Sequence, residues 1–233
     1  MYNNFLIIIP TYNESENIRL LIDKLDVHGF HILVVDDNSP DNTFDIVKNH
    51  KNYGINLFGL LRTVERGYGK SVIDGFKYAI QNDYEYVIQM DADFSHRIED
   101  LLKMCILAQN NDLVIGSRYV KGSSIEGWGL YRKNLSKYAN LFAKASTKSD
   151  INDLTSGFRI YSKYLYNNIE FDDIVSNGYS FLVEIIAKIP YQKYKILEFP
   201  ITFIDRKSGK SKMGFKIIFE SIINLIKILF RRS

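Results

Sequence analysis

Five short runs rich in apolar and β-branched residues, at 5–9, 32–36, 57–61, 86–91 and 113–116, recur through the first half of the chain. Each is followed by a polar or Gly-containing loop and then by helical periodicity. No other feature limits the fold as strongly. Strands that are apolar on both faces need helices over both sides of the sheet, and strict strand–helix alternation makes that sheet parallel. The helical spacing is visible in Leu20, Leu21 and Leu25, and in Ile98, Leu101, Leu102, Cys105 and Ile106. The expectation is a doubly wound α/β domain whose ligands bind beyond the carboxyl ends of the strands.

The first run, stopped by Pro10-Thr11-Tyr12-Asn13, is too short for a signal-peptide core or a membrane span and reads as a buried strand. After Gly116 the rhythm changes. A Gly-rich loop at 122–129 holds the single Trp, Trp128, and is followed by helices expected at 133–146 and 179–188 and a late strand at 196–203. With 233 residues, 46% of them hydrophobic, and no repeat or low-complexity linker, one domain with a C-terminal appendage is the natural division: 1–214 and 215–233. A single cysteine excludes an internal disulfide and any zinc site built on cysteine pairs, and fits a reducing compartment.

In the appendage, Lys216, Glu220, Asn224 and Lys227 share one stripe of a helix over 215–230 that is otherwise almost entirely Ile, Leu and Phe. Its length of roughly 25 Å and its internal charges suit a helix lying in a membrane interface better than one spanning it, the alternative being a helix packed on the body or on a second subunit. The net charge of +3 divides unevenly. Residues 205–233 hold eight basic side chains against two acidic ones, a net of +6, which leaves −3 for residues 1–204. So weak a total excludes nucleic acid as an expected partner.

Acidic clusters follow the second and fourth runs: Asp36-Asp37-Asn38-Ser39-Pro40-Asp41 and Asp91-Ala92-Asp93. Asp caps turns and helix N-termini well, and one such cluster alone would be read that way. Two at the ends of neighbouring strands point instead to a hard divalent cation held by carboxylate oxygens, with coordination left over for substrate phosphates. The stretch Arg66-Gly67-Tyr68-Gly69-Lys70-Ser71 fails as a P-loop because position 64 is Val; its glycines instead allow close backbone approach or start a helix. The four histidines show no metal-binding spacing, and the many Tyr and Phe form no base-stacking array.

Six motifs then fall in order: Pro10-Thr11-Tyr12-Asn13-Glu14, the Asp36–Thr43 cluster, Met90-Asp91-Ala92-Asp93-Phe94-Ser95-His96, Gly116-Ser117-Arg118-Tyr119, Asp153-Leu154-Thr155-Ser156-Gly157-Phe158-Arg159 and Asp205-Arg206-Lys207-Ser208-Gly209-Lys210-Ser211-Lys212. Together they resemble the dolichol-phosphate (polyprenol-phosphate) mannosyltransferases of the family 2 glycosyltransferases, over about residues 5–215. The resemblance implies the glycosyltransferase-A fold, a Rossmann-like mostly parallel sheet with helices on both faces. It also implies inverting, Mg2+- or Mn2+-dependent transfer of mannose from GDP-mannose to dolichyl or another polyprenyl phosphate.

By the same resemblance, Pro10, Tyr12 and Glu14 match the loop holding the guanosine, with Val35 and Asp37 lining it. Asp91, Ala92 and Asp93 match the segment at the diphosphate and metal, with Asp93 the principal ligand and Ser95 a weak one, so that water completes the shell. Arg118, Arg132 and Ser136 match the acceptor-phosphate positions, and Arg206 and Lys212 the basic groups reaching the donor phosphates. Asp91, Asp93, Arg118 and Arg132 are the residues expected to carry the chemistry; surface ion pairing is the alternative for the two arginines. Departures from the family pattern are Leu182 in place of Gln, Ile98 in place of Pro, Asn42 in place of Gly, and Ser95. The implied setting is the cytoplasmic face of a membrane, reached peripherally through the 215–230 helix, with room for a membrane-anchoring subunit. A UDP-glucose-dependent polyprenyl-phosphate glucosyltransferase and a catalytically silent nucleotide-binding subunit are the competing readings.

Overall fold

The computed structural model describes residues 2–147, 149–178 and 180–205. In chain order the strands and helices are β1 (Phe5–Thr11), α1 (Ile18–Asp26), β2 (His31–Asp36), α2 (Thr43–Lys48), β3 (Leu57–Leu61), α3 (Tyr68–Gln81), β4 (Tyr86–Gln89) and α4 (Ile98–Ala108). They continue with β5 (Leu113–Ser117), β6 (Ser124–Glu126), α5 (Leu130–Thr147), β7 (Arg159–Ser162), α6 (Lys163–Tyr166), α7 (Ser180–Ala187), β8 (Ile196–Pro200) and β9 (Thr202–Ile204). All five expected apolar runs are strands.

The main sheet has the order β3-β2-β1-β4-β7-β5-β8, and a small second sheet pairs β6 with β9. Every pairing in the main sheet is parallel except those of β7, which runs antiparallel between β4 and β5. The crossover through α4 skips one strand position, and β7 returns more than forty residues after β5 to fill it. Four residues beginning with Arg159 carry no apolar run, so this strand has no signature in the sequence.

Alternation along the strands sends Leu6, Ile8, Leu33 and Val35 to one core with α3 and α7, and Ile7, Ile9, Ile32 and Val34 to a second core with α1 and α4. The helix faces differ in detail from the spacing read in the sequence. Ile18, Leu21, Ile22 and Leu25 form the buried face of α1, while Leu20 points outward; α4 buries Leu101, Met104 and Cys105 and exposes Ile106. Burial pushes the Cys105 thiol well above its ordinary pKa, so it behaves as a small apolar side chain. The expected strand at 196–203 is two strands. Pro200 has no N–H to extend a ladder, and the Ile201 N–H turns back to the Ser117 carbonyl at 3.1 Å.

Chain order reverses at β1, with β2 and β3 on one side and β4 on the other, so the cleft expected of such a sheet lies at the carboxyl ends of β1 and β4. This corrects one premise. The two acidic clusters do not end neighbouring strands, because β1 lies between β2 and β4. The interface helix at 215–230 falls outside the described residues, as do Arg206 and Lys212.

Candidate active site

The loops after β1 and β2 are bonded to one another. The Asn13 amide donates to Ser39 Oγ (2.9 Å), the Glu14 amide to Thr43 Oγ1 (3.0 Å) and the Ser15 amide to Asp41 Oδ2 (3.0 Å). Asp36 accepts from Thr11 Oγ1, the Ser39 amide and Ser39 Oγ, and Asp41 also accepts from the Thr43 amide and hydroxyl. For Asp36 and Asp41, therefore, turn chemistry is the role the structure displays. Asp37 is buried, paired with Arg62 and accepting from the Gly67 amide at 2.8 Å. Arg62 is anchored further by Asp74 at 2.6 Å.

Pro10 lies opposite Val35, one pair before the end of the β1–β2 ladder, and the Val35 side chain is fully enclosed in the core. Tyr12 lies under the guanidinium of Arg66, 4.5 Å from the ring centroid, and Arg66 Nη1 donates to its hydroxyl at 2.6 Å. Glu14 accepts from Asn17 Nδ2 at 3.1 Å. The glycines of the failed P-loop serve close packing, as expected: Asn177 occupies the space a Cβ on Gly67 would need, and the Ser176 carbonyl and Phe181 occupy that of Gly69.

The second acidic cluster differs in kind. Beyond β4, the carboxylate of Asp91 is 37% exposed and that of Asp93 is partly exposed. Neither caps α4, whose N-cap is Arg97 with no side-chain cap; Asp93 Oδ1 instead accepts from the Ser95 amide at 3.1 Å. Between them, Phe94 adopts φ 59°, a left-handed conformation costing about 1–3 kcal/mol for a bulky side chain. The turn is held from outside, the Ile204 amide donating to the Ser95 carbonyl at 3.2 Å.

His96 stacks on Phe158 at 4.5 Å and accepts from the Asp91 amide at 3.3 Å. Burial, helped by Arg118 and opposed by Asp93 and Asp153, pushes its pKa down to about 4, so it is a neutral acceptor here. Buried groups reach Asp91 from behind through donors that all point its way. Arg159 Nη1 donates to Tyr161 Oη (3.4 Å), Tyr161 Oη to Gln89 Oε1 (3.4 Å), Gln89 Nε2 to Tyr68 Oη (2.8 Å) and Tyr68 Oη to Asp91 Oδ1 (3.4 Å). Gly157 lies against this end, where a Cβ would come within 2.7 Å of Tyr68 Oη. Leu182, the departure from Gln, is in the core, and its carbonyl accepts from Arg159 at 2.9 Å; the main chain supplies that contact.

Arg118 is no surface ion pair. Its side chain is 8% exposed against a fully buried Asp153, with Nε–Oδ2 and Nη2–Oδ1 both 2.7 Å, and Nη2 also donates to Thr155 Oγ1 at 2.8 Å. Burial would raise the Asp153 carboxyl, but the adjacent Arg118 wins and holds it below the usual carboxylate range. Burial would likewise lower Arg118, and Asp153, with Asp91 further away, keeps it firmly charged. Arg118 Nη1 has no acceptor among the described residues. Tyr119, Trp128 and Phe203 surround the guanidinium at 5.4–5.6 Å. Arg132 also lies over Trp128, 4.3 Å from the ring centroid, and pairs with Asp205 at 2.9 Å, partly exposed rather than buried. Ser136 accepts from Tyr119 Oη at 2.7 Å.

The expected residues thus form two groups flanking Asp91 and Asp93: Tyr12, Glu14 and Asp37 in the β1–β2 loops, and Arg118, Arg132 and Ser136 around Trp128. Sequence reading missed Arg62, Tyr68, Gln89, Arg159 and Asn140. It also missed the face of α5, which turns Asn140, Ala143, Ser146 and Thr147 inward and leaves Leu130, Tyr131, Leu135, Tyr138, Leu141 and Phe142 exposed. Helical spacing of that exposed set was the available signal.

The profile described as "Glycosyl transferase family 2" matches residues 6–170. An undecaprenyl-phosphate mannosyltransferase of Micrococcus luteus is 36% identical over 95% of this chain and 92% of its own length. A polyprenol monophosphomannose synthase of Mycolicibacterium smegmatis is 34% identical over 94% of this chain and 84% of its own. A dolichol-phosphate mannosyltransferase of Pyrococcus furiosus is 37% identical over 96% of this chain and 63% of its own. Among solved structures, glucosyl-3-phosphoglycerate synthase of Mycobacterium tuberculosis superposes with a TM-score of 0.67 at 14% identity, over 97% of this chain and 80% of that one. A mannosyltransferase of Pyrobaculum calidifontis, in complex with GDP-Man and Mn2+, gives 0.60 at 15% identity over 97% and 65%. These two share the fold.

The buried pair gives a direct test. Asp153→Ala leaves Arg118 buried without its partner and is expected to lower the unfolding free energy by about 3–5 kcal/mol, seen as a lower urea midpoint. Because the folded Asp153 carboxyl lies below its unfolded value, the pair's stabilisation holds above roughly pH 4 and is lost as pH falls through the lower folded value. An unchanged midpoint at neutral pH would contradict this account of the pair.

Proposed function

The chain belongs to glycosyl transferase family 2, and we propose that it transfers a mannosyl group from GDP-mannose to a polyprenyl phosphate. Relatives 34–37% identical over nearly the whole chain are named for mannosyl transfer of this kind. The observation that carries the reading is α5. One helix offers Arg132 and Ser136 to the site and exposes a face of Leu, Tyr and Phe with Lys133 and Lys137 and no acidic residue. Cations beside an outward apolar face fit an acceptor that is a phosphate at one end and a lipid at the other.

On the donor side, the β1–β2 loops with Tyr12, Glu14 and Asp37 take the nucleoside, and Asp91 and Asp93 face the diphosphate. The residues suit a hard divalent cation. Asp91 and Asp93 supply oxygen donors, Ser95 Oγ on the same turn is buried without a hydrogen-bond partner among the described residues, and so small a protein donor set matches cations that keep coordination for substrate phosphates. Among the described residues no group of three His, Cys, Asp or Glu side chains forms a closed metal site. Mg2+ or Mn2+ held there would neutralise charge on the departing diphosphate. Arg206 and Lys212 are proposed to reach the donor phosphates from beyond the described residues.

The reaction forms one bond from an acceptor phosphate oxygen to the anomeric carbon and breaks the bond from that carbon to the diphosphate, whose oxygen leaves with the electron pair. A phosphate monoester with a second pKa of about 6 is already largely dianionic at neutral pH, so no general base is required. That agrees with a site in which His96 is buried, neutral and bonded to the Asp91 amide. Arg118, through Nη1, with Arg132 and Ser136, aligns the nucleophile and supplies fixed positive charge.

The working position is a membrane surface, with α5 and the apolar, basic stretch at 215–230, which lies outside the described residues, as contacts and the cytoplasmic face as the side. No helix among the described residues is long and apolar enough to cross a membrane.

Purified protein with Mn2+ or Mg2+ is expected to move labelled mannose from GDP-mannose to a short-chain polyprenyl phosphate, with Asp93→Ala inactive yet folded by circular dichroism. Equal or faster transfer from UDP-glucose would overturn the mannose assignment, and full activity of Asp93→Ala would overturn the metal role. The double variant Leu135→Glu/Tyr138→Glu should lose sedimentation with anionic lipid vesicles while keeping turnover of a short, water-soluble acceptor. Unchanged sedimentation would count against α5 as a membrane contact.

A further inference from the structure

Asn140 is an anomaly on α5. It is a polar side chain in the third turn of a helix that leaves its apolar residues outside, yet it is 4% exposed. Its amide is saturated. Nδ2 donates to the Ser136 carbonyl at 3.1 Å and to Thr155 Oγ1 at 2.9 Å, while Oδ1 accepts from the amides of Leu154 at 2.8 Å and Thr155 at 3.2 Å. Two donors and two acceptor sites are all a carboxamide has, and all four are used. Three of the four bonds cross from α5 to the loop at 152–155.

That loop is the one that fixes Arg118. Asp153 holds the guanidinium bidentately, and Thr155 Oγ1 takes a further bond from Arg118 Nη2, so the hydroxyl gripped by Asn140 also touches Arg118. The far side of the loop is pinned independently. Glu198 on β8 accepts from the amides of Asn152 (2.8 Å) and Asp153 (2.9 Å) and from Asn152 Nδ2 (2.8 Å). The loop is therefore clamped between a sheet strand and α5. Ser136 lies one turn from Asn140 on α5 and Arg132 two turns away, so the register of α5 against the loop determines where both stand relative to Arg118.

We propose that Asn140 is a positioning residue for the acceptor phosphate: its carboxamide locks α5 to the 152–155 loop and thereby sets Arg132 and Ser136, carried by the helix, against Arg118, which follows β5 and is held by that loop. The proposal rests on the reading of these three residues as the acceptor site. Asn140 itself touches neither substrate nor reacting atoms. The lock also joins the exposed apolar face of α5 rigidly to Arg118, so a lipid acceptor meets a phosphate site already assembled behind that face. Glu14 and Asp37 lie in other loops, where Glu14 accepts from Asn17 and Asp37 is held by Arg62 and the Gly67 amide, so the donor side should not register the clamp's loss.

The test compares wild type, Asn140→Ala and the nearly isosteric Thr155→Val, which removes only the shared hydroxyl and keeps the result interpretable if Asn140→Ala unfolds. Binding of a short-chain polyprenyl phosphate without donor, GDP-mannose KM, acceptor KM and amide exchange at Leu154 and Thr155 are measured. Both variants should weaken acceptor binding and raise acceptor KM by roughly tenfold to a hundredfold, with GDP-mannose KM changed by less than about twofold. The double variant should be about as impaired as the worse single one, because both loosen the same clamp between α5 and the 152–155 loop. Exchange at Leu154 and Thr155 should accelerate in Asn140→Ala. Unchanged acceptor binding in Thr155→Val, or equal losses for donor and acceptor in both variants, would overturn the proposal. Wild-type protein that binds no polyprenyl phosphate would instead overturn the functional reading beneath it.

Discussion

A sheet buried on both faces can meet a polar ligand only at its strand ends, and here the ends that matter are those of β1 and β4, where the strand order reverses. Every polar feature of the site follows from that restriction. The loops after β1, β2 and β4 are short, begin at buried strand termini, and must satisfy their own amides while keeping some carboxylates available. Asp36 and Asp41 accept from several of those amides, while Asp91 and Asp93 stand partly exposed at the cleft, Asp91 accepting from Tyr68 and Asp93 from the Ser95 amide. The same residue type thus holds the turns together after one strand and is proposed as the working group after another.

The second group of charges obeys a different constraint. Arg118 and Asp153 are both removed from water, a costly state for each alone, and each keeps the other ionised. The pair is not an arrangement for stability in its own right, since apolar residues could fill the volume at least as well. Its consequence is geometric: a guanidinium with Nε and Nη2 fixed has Nη1 aimed in one direction. Trp128, shared by Arg118 and Arg132, and the small β6–β9 sheet that brings the Gly-rich loop to the late strand complete a cationic, aromatic wall opposite the carboxylates.

The parallel framework was legible because strands such as Phe5–Thr11 and Leu113–Ser117 carry their two-sided burial in their composition. β7 was not, because its first residue is an arginine whose charge is met by the carbonyls of Leu154 and Leu182 and by Tyr161, groups no local pattern reveals. The carboxylates of the site were legible as residue types at strand ends, but the division of labour between Asp36 and Asp91 depends on contacts made across more than twenty residues. The inward face of α5 is the clearest case of a feature that only the tertiary structure reveals. A helix whose Leu and Tyr look outward around a buried Asn reads in sequence as an ordinary amphipathic helix, and only its neighbours show which face is the interior.

The central claim is that donor and metal meet at Asp91 and Asp93 with the nucleoside in the β1–β2 loops. Anomalous diffraction from crystals grown with Mn2+ and GDP tests it most directly. The account predicts a manganese peak between the carboxylates of Asp91 and Asp93, with the diphosphate beside it and the guanosine against Tyr12 and Glu14. A peak at Asp36 and Asp41, or GDP bound away from the carboxyl ends of β1 and β4, would contradict it.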